Sequence, residues 1–174
     1  PLVEGLIFVH NILVGFDLRK NIKIISSGMM TSGFGLVKRL ALGADLCNSA
    51  RGMMLALGCI QARKCNSNVC PVGVTTQDPN LIKGLVPEDK NKRVNNYHRN
   101  TVDSACQIMG AMGLEKPEEL RPWHLMRRIE AYEIRNFSEI YEYIETGSLL
   151  GKSKPKSYAR ACEASRSDSF EAKN

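Results

Sequence analysis

Two short β-prone runs, each leading through a loop of small residues into a helix-patterned stretch, constrain this chain more than anything else in it. Ile22 to Ser26 reads as an isoleucine-rich strand that Ser27 and Gly28 end. Thr31 or Ser32 then caps a helix whose apolar positions Phe34, Val37, Leu40 and Ala41 recur at helical spacing, and Gly43 stops it. A second strand, Ala44 to Asn48, turns at Ser49-Ala50-Arg51-Gly52 into a helix running from Met53 to about Lys64. Strand, helix, strand, helix with tight loops is the pattern of parallel α/β units. Two strands do not make a self-sufficient sheet, so the neighbouring strands are expected from elsewhere. An upstream part of the same α/β body is the simplest source, and the chain, which opens on Pro1, is read as a fragment or processed product.

The flanking segments are legible to different degrees. PLVEGLIFVHNILVG is apolar, but Glu4, His10 and Asn11 interrupt it and it is shorter than the roughly 20 residues of a membrane span, so a buried helix capped at Gly15 is expected. Residues 65–90 hold Pro71, Gly73, Pro79, Gly84 and Pro87 and form a long irregular loop, a kind that is usually functional. Val94, Tyr97, Val102, Ala105, Ile108, Met109 and Met112 predict a helix ending at Gly113. Leu114 to Leu125, with Pro117 and Pro122, suggests a short capped turn or helix, and Ile134, Phe137, Ile140, Tyr141 and Ile144 predict one more amphipathic helix. From Gly147 the chain is polar and basic, an arm over a larger body or a disordered tail. The organisation is thus 1–64 for the strand and helix units, 65–90 for the cysteine loop, 91–146 for C-terminal helices and 147–174 for the tail.

A net charge of +6 on 174 residues invites a nucleic-acid reading. The excess is spread out, however: residues 1–75 hold eight basic against three acidic side chains, 76–150 ten against twelve, and the tail six against three. No basic stripe is interleaved with aromatics, so neither duplex nor single-stranded nucleic acid is expected as a partner. The sequence carries no secretion signal of the usual kind and no membrane span, which points to the cytoplasm.

The two strand-to-helix loops, SSGMMTSG and CNSARGMM, place small residues where a backbone approaches a ligand. Amides at Gly28, Ala50 and Arg51 would donate to phosphate oxygens beside a helix N-terminus, with Arg51 adding charge. The same residues would also serve as tight turns and nothing more.

Six cysteines stand at 47, 59, 65, 70, 106 and 162. Cys59, Cys65 and Cys70 form a C-x5-C-x4-C pattern at the end of a helix and along the loop after it, where the chain can turn back on itself. Thiolates are the usual ligands of iron-sulfur clusters, and three suit a cluster with a vacant corner. Zinc held by the three thiolates and His98 is the competing set, although the short C-x2-C knuckle is missing. Three free thiols in a reducing compartment are the plain alternative. Cys47 and Cys106 sit in apolar patterns as small core residues, and Cys162 stands apart in the tail.

Read together, ALGADLCNSARGMMLALGCIQARKCNSNVCPVGVTTQDP resembles the end of the FMN-binding domain of glutamate synthases, most closely the stand-alone members without a glutaminase domain. LIFVHNILVG, VNNYHRNTV, LRPWHLMRRI and ETGSLL extend the likeness over nearly the whole chain. The resemblance implies the C-terminal portion of a (β/α)8 TIM barrel, with a helical extension and a 3Fe-4S cluster on Cys59, Cys65 and Cys70. It makes Gly28, Ser49, Ala50 and Arg51 the FMN phosphate corner. The implied reaction is reductive synthesis of L-glutamate from 2-oxoglutarate and ammonia, with electrons from ferredoxin or an NAD(P)H-linked reductase. An upstream barrel half and an oligomeric assembly are implied as partners. Met29 follows Gly28 where relatives often carry a lysine, so a charge contact expected there is missing. No complete catalytic set is visible, and no catalytic residue is assigned. A zinc-stabilised interaction module without chemistry, or a related FMN oxidoreductase acting on another amine or keto acid, are the alternative functions.

Overall fold

The computed structural model describes residues 1–171. Its helices and strands run α1 (Leu2–Gly15), β1 (Ile25–Ser27), α2 (Gly33–Ala41), β2 (Leu46–Asn48), α3 (Ala50–Ala56), α4 (Pro79–Ile82), α5 (Pro87–Ala111), β3 (Met126–Arg128), β4 (Ile134–Asn136), α6 (Phe137–Ile140) and α7 (Lys156–Ala164). The fold class is therefore mixed α/β. The chain divides into two compact units, one of residues 1–24, 41–46 and those from Arg121 onward, the other of residues 25–40 and 47–120. Among the described residues no helix is long and apolar enough to cross a membrane.

The first unit is organised around α1. Asn11, 1% exposed inside that otherwise apolar helix, is not an interruption but a tie. Its amide donates to the Glu142 carbonyl at 2.8 Å and to the Tyr158 hydroxyl at 2.5 Å. An unmet buried amide costs about 1–3 kcal/mol, so these bonds fix the returning chain against α1. Gly147 and Leu149 donate from the backbone to the carbonyls of Val14 and Gly15, and Leu149 is 1% exposed. The residues beyond Gly147 are thus partly ordered, with α7 inserting Tyr158 into this core. Arg19 joins the α1 exit to the segment before β2. It donates to Asp45 Oδ2 at 2.7 Å, to the Gly43 carbonyl at 2.9 Å and to His10 Nδ1 at 3.2 Å, while Asp45 Oδ2 also accepts from the Ile24 amide at 2.7 Å. Burial lowers the pKa of His10, and the Arg19 guanidinium lowers it further.

The helix expected across Ile134–Ile144 is replaced by a β-hairpin and one helical turn. Arg127 pairs with Arg135 in antiparallel register between β3 and β4. Asn136 then caps α6, accepting from the Ser138 and Glu139 amides at 2.9 and 3.1 Å, while Glu139 accepts from the Asn136 amide at 2.7 Å. That reciprocal box sets a helix start at Phe137 and excludes Ile134 from the helix.

In the second unit β1 and β2 pair as a two-stranded sheet, each strand three residues long. Ser32 caps α2, its hydroxyl accepting from the Gly35 amide at 3.1 Å. Both α2 and α3 pack on α5 through glycines: a Cβ on Gly33 would stand 2.6 Å from the Ala105 amide nitrogen, and one on Gly52 would meet the Tyr97 ring. The long α5 starts at Pro87, which fixes φ at a position where no amide is needed. It ends when the Leu114 amide reaches back to the Met109 carbonyl behind Gly113, whose φ is +74°.

Candidate cofactor-binding site

Two features of the second unit, the strand-end corner and the cysteine loop, carry the predicted site residues. At the corner, Gly28 (φ +112°) and Met29 (φ +50°) form an exposed left-handed turn after β1. Ser49, the residue before α3, does not cap that helix. Its hydroxyl donates to the Met30 carbonyl at 2.5 Å and lies 3.2 Å from the Tyr97 hydroxyl. The first amides of α3 therefore have no side-chain acceptor, and Ala50 and Arg51 are exposed there. The Ser49 hydroxyl thus ties the loop after β1 to the start of α3. Uncapped amides beside a glycine turn suit an anion such as a phosphate monoester. Tyr97 belongs to this corner as well. Its position in the helical repeat marked it only as core, and the signal that could have revealed it is the glycine it faces, Gly52.

The helix expected from Met53 to Lys64 is shifted, starting at Ala50 and ending at Ala56. Gly58 (φ +98°) stops it: the Gly58 amide donates to the Leu55 carbonyl at 2.9 Å and the Cys59 amide to the Met54 carbonyl at 3.0 Å. This double closure places Cys59 just past the helix instead of on it. The Cys59 sulfur accepts from the Gln61 amide at 3.4 Å. Gln61, Arg63 and Asn68 all adopt positive φ, between +56° and +60°, a concentration of left-handed non-glycine residues found at functional loops. The loop is then pinned by Asn68: its side-chain oxygen accepts from the Gln77 amide and its carbonyl from the Thr76 hydroxyl, both at 2.6 Å. Asp78 caps α4 inside the segment expected to be wholly irregular.

Cys70 is 8% exposed. The Thr75 amide, then the Thr75 hydroxyl and the Val72 amide, bring its pKa down to about 7 against the opposing effect of burial, with the Val74 amide adding to them. The lowered value favours the thiolate of Cys70. The Thr75 hydroxyl is buried and meets no partner with hydrogen-bond geometry, the Cys70 sulfur included. Cys65 is exposed and opens, with Asn66, Asn68, Thr75, Thr76 and Gln77, onto a depression of about 440 Å³.

The three sulfurs are not gathered around a single ion. Among the described residues no group of three His, Cys, Asp or Glu side chains could hold one metal ion. A tetrahedral zinc with bonds of about 2.3 Å needs its sulfurs within roughly 4 Å of one another, so the set with His98 is not formed. His98 instead lines an apolar groove with Met53, Leu57, Leu85 and Val94. A cluster places each thiolate on its own iron, farther apart, and the sulfur donors of a buried Cys70, an amide-bonded Cys59 and an open Cys65 suit it by type. Of the remaining cysteines, Cys106 is exposed on α5 and is not the core residue its spacing suggested, Cys47 is half-buried on β2, and Cys162 lies half-buried on α7.

These features define an α/β chain with a glycine turn beside the start of α3 and a loop carrying three cysteines. Residues 1–115 match the conserved region in glutamate synthase. The chain is 37% identical over 140 residues to the glutamate synthase large subunit-like protein YerD of Bacillus subtilis, covering 80% of this chain and 27% of that protein. It is 36% identical over 121 residues to the archaeal glutamate synthase [NADPH] of Methanocaldococcus jannaschii, covering 70% of this chain and 24% of the relative. Against the glutamate synthase [NADPH] large chain of Azospirillum brasilense it is 26% identical over 162 residues, 93% of this chain and 10% of that one. The chain belongs to the glutamate synthase family. It spans about a quarter of the length of the first two of these relatives.

Proposed function

We propose that this chain is the C-terminal portion of a (β/α)8 flavin barrel that works in the reductive synthesis of L-glutamate from 2-oxoglutarate and ammonia. The observation that carries the reading is the match of residues 1–115 to the conserved region in glutamate synthase, with the three cysteines on the loop that follows α3 inside that match. Gly28, Ser49, Ala50 and Arg51 hold the phosphate of FMN, Ser49 by locking the loop after β1 to α3 and the other three by amides or charge. Cys59, Cys65 and Cys70 ligate a 3Fe-4S cluster. When bound, these groups supply hydride transfer to an imine carbon and one-electron delivery from an external donor such as ferredoxin or an NAD(P)H-linked reductase. The chain's own residues place and tune the groups: the Thr75 and Val72 neighbours of Cys70 lower the pKa of its thiol, and Asn68 holds the loop in its bend. The remaining barrel strands supply the substrate contacts, and β1 and β2 expose Ile25 (56%) and Leu46 (57%) as apolar surface for neighbours. The assembly is cytoplasmic and oligomeric in this reading.

Replacing Cys65 with alanine in the natural full-length protein, purified and reconstituted anaerobically, is the direct test. The broad visible absorption and acid-labile sulfide of a cluster should disappear while flavin absorbance stays. Loss of both would make the loop a structural element of the whole barrel, and bound zinc without iron in the unaltered protein would favour the interaction module.

A further inference from the structure

The corner assigned to the flavin phosphate has no charge of its own on the β1 side: residues 27–35 carry no ionisable side chain. Charge reaches it from α2. The Arg39 guanidinium folds back along that helix and donates through Nη2 to the Gly28 carbonyl at 2.7 Å, on the exposed side, and through Nη1 to the Gly35 carbonyl at 3.1 Å. Its Nε is buried without an acceptor. No carboxylate forms an ion pair with it among the described residues. Its charge also acts on the half-buried Cys47 thiol of β2, drawing down a pKa that burial raises, so the cation stands close to both strands.

Two neutral carbonyls take two of the five guanidinium donors and leave the positive charge whole. A partly buried cation with an orphaned N–H and no anion is costly to keep, and the cost is recovered when an anion arrives. We propose that Arg39 supplies the charge of this corner: clamping the Gly28 carbonyl, it orients the turn and attracts the dianionic phosphate monoester of the bound nucleotide. The proposal rests on the flavin reading above and adds to it a residue outside the loop motifs.

The test compares FMN with riboflavin, which lacks only the phosphate, by quenching of flavin fluorescence on the natural full-length protein stripped of flavin. The unaltered protein should prefer FMN. Arg39→Gln should weaken FMN binding roughly ten- to hundredfold, the worth of one charge-assisted hydrogen bond, and leave riboflavin binding unchanged. Arg39→Lys keeps the charge while losing the two-carbonyl clamp, and should retain most of the preference; it also serves if the glutamine variant does not fold. Equal weakening of both ligands by Arg39→Gln, or a lysine variant that no longer prefers FMN, would reduce Arg39 to a structural staple. An unaltered protein that binds both flavins equally would instead remove the phosphate corner itself, and Arg39's role with it.

Discussion

His10 illustrates how a single side chain can make stability depend on pH. Its Nδ1 accepts from Arg19 Nε, and the Gly43 backbone is packed so closely that a Cβ there would strike the ring. Burial and then Arg19 hold the folded pKa below the ordinary 6.5. As pH falls below 6.5 the unfolded chain takes up the proton before the folded one does, so stability drops through the window between 6.5 and the lowered value and levels off beneath it. Above 6.5 the histidine contributes no slope. Urea unfolding followed by circular dichroism at several pH values should show a midpoint lower near about pH 5.5 than near about pH 7.5. His10→Gln should flatten that part of the profile. An unchanged slope would mean that the Arg19 contact does not select the neutral ring.

At the scale of elements, caps decide where the chain departs from simple periodicity. Asn136→Ala removes both acceptor bonds to the start of α6 and should lower stability by about 1 kcal/mol, whereas Asn136→Asp keeps the cap and should be close to neutral. Thermal melts of the three proteins check this. The same residue explains part of what could be read from sequence. Strand, loop and helix order through Ala56 was legible because Ile22–Ser26, Phe34–Ala41 and the glycines speak at short range. Ile134–Ile144 was not, since its apolar spacing fits a helix and only the Asn136–Glu139 pair marks the switch to a hairpin. Gly58 carried a stop signal that was masked by apolar residues continuing past it. In the site, cysteine spacing located the loop, but the closeness of Thr75 to Cys70 and the reach of Arg39 depend on how the chain folds back, which no local pattern encodes. Cys106 looked apolar by its neighbours and faces outward because α5 turns its Ala105–Met109 side to the core.

For the whole molecule, the two three-residue strands of the second unit leave apolar side chains uncovered and hold only the phosphate end of the proposed flavin pocket. The 174-residue chain by itself should therefore bind FMN poorly, with the natural full-length protein binding it stoichiometrically. Equilibrium dialysis of both decides the matter, and tight binding by the chain alone would overturn the barrel-fragment reading. The closure of α3 at Gly58 has a consequence for how such a chain can vary in length. Because the Cys59 amide is spent on the Met54 carbonyl, the first sulfur is indexed to the helix and the later two to the loop. One residue inserted within α3 would swing Cys59 by roughly 100° and carry it about 1.5 Å along the axis. The same insertion between Arg63 and Cys65 would leave Cys59 on its helix closure and displace Cys65 instead, so a change of length on either side of Gly58 should disturb the spacing of the three sulfurs, by way of the helix on one side and of the loop on the other.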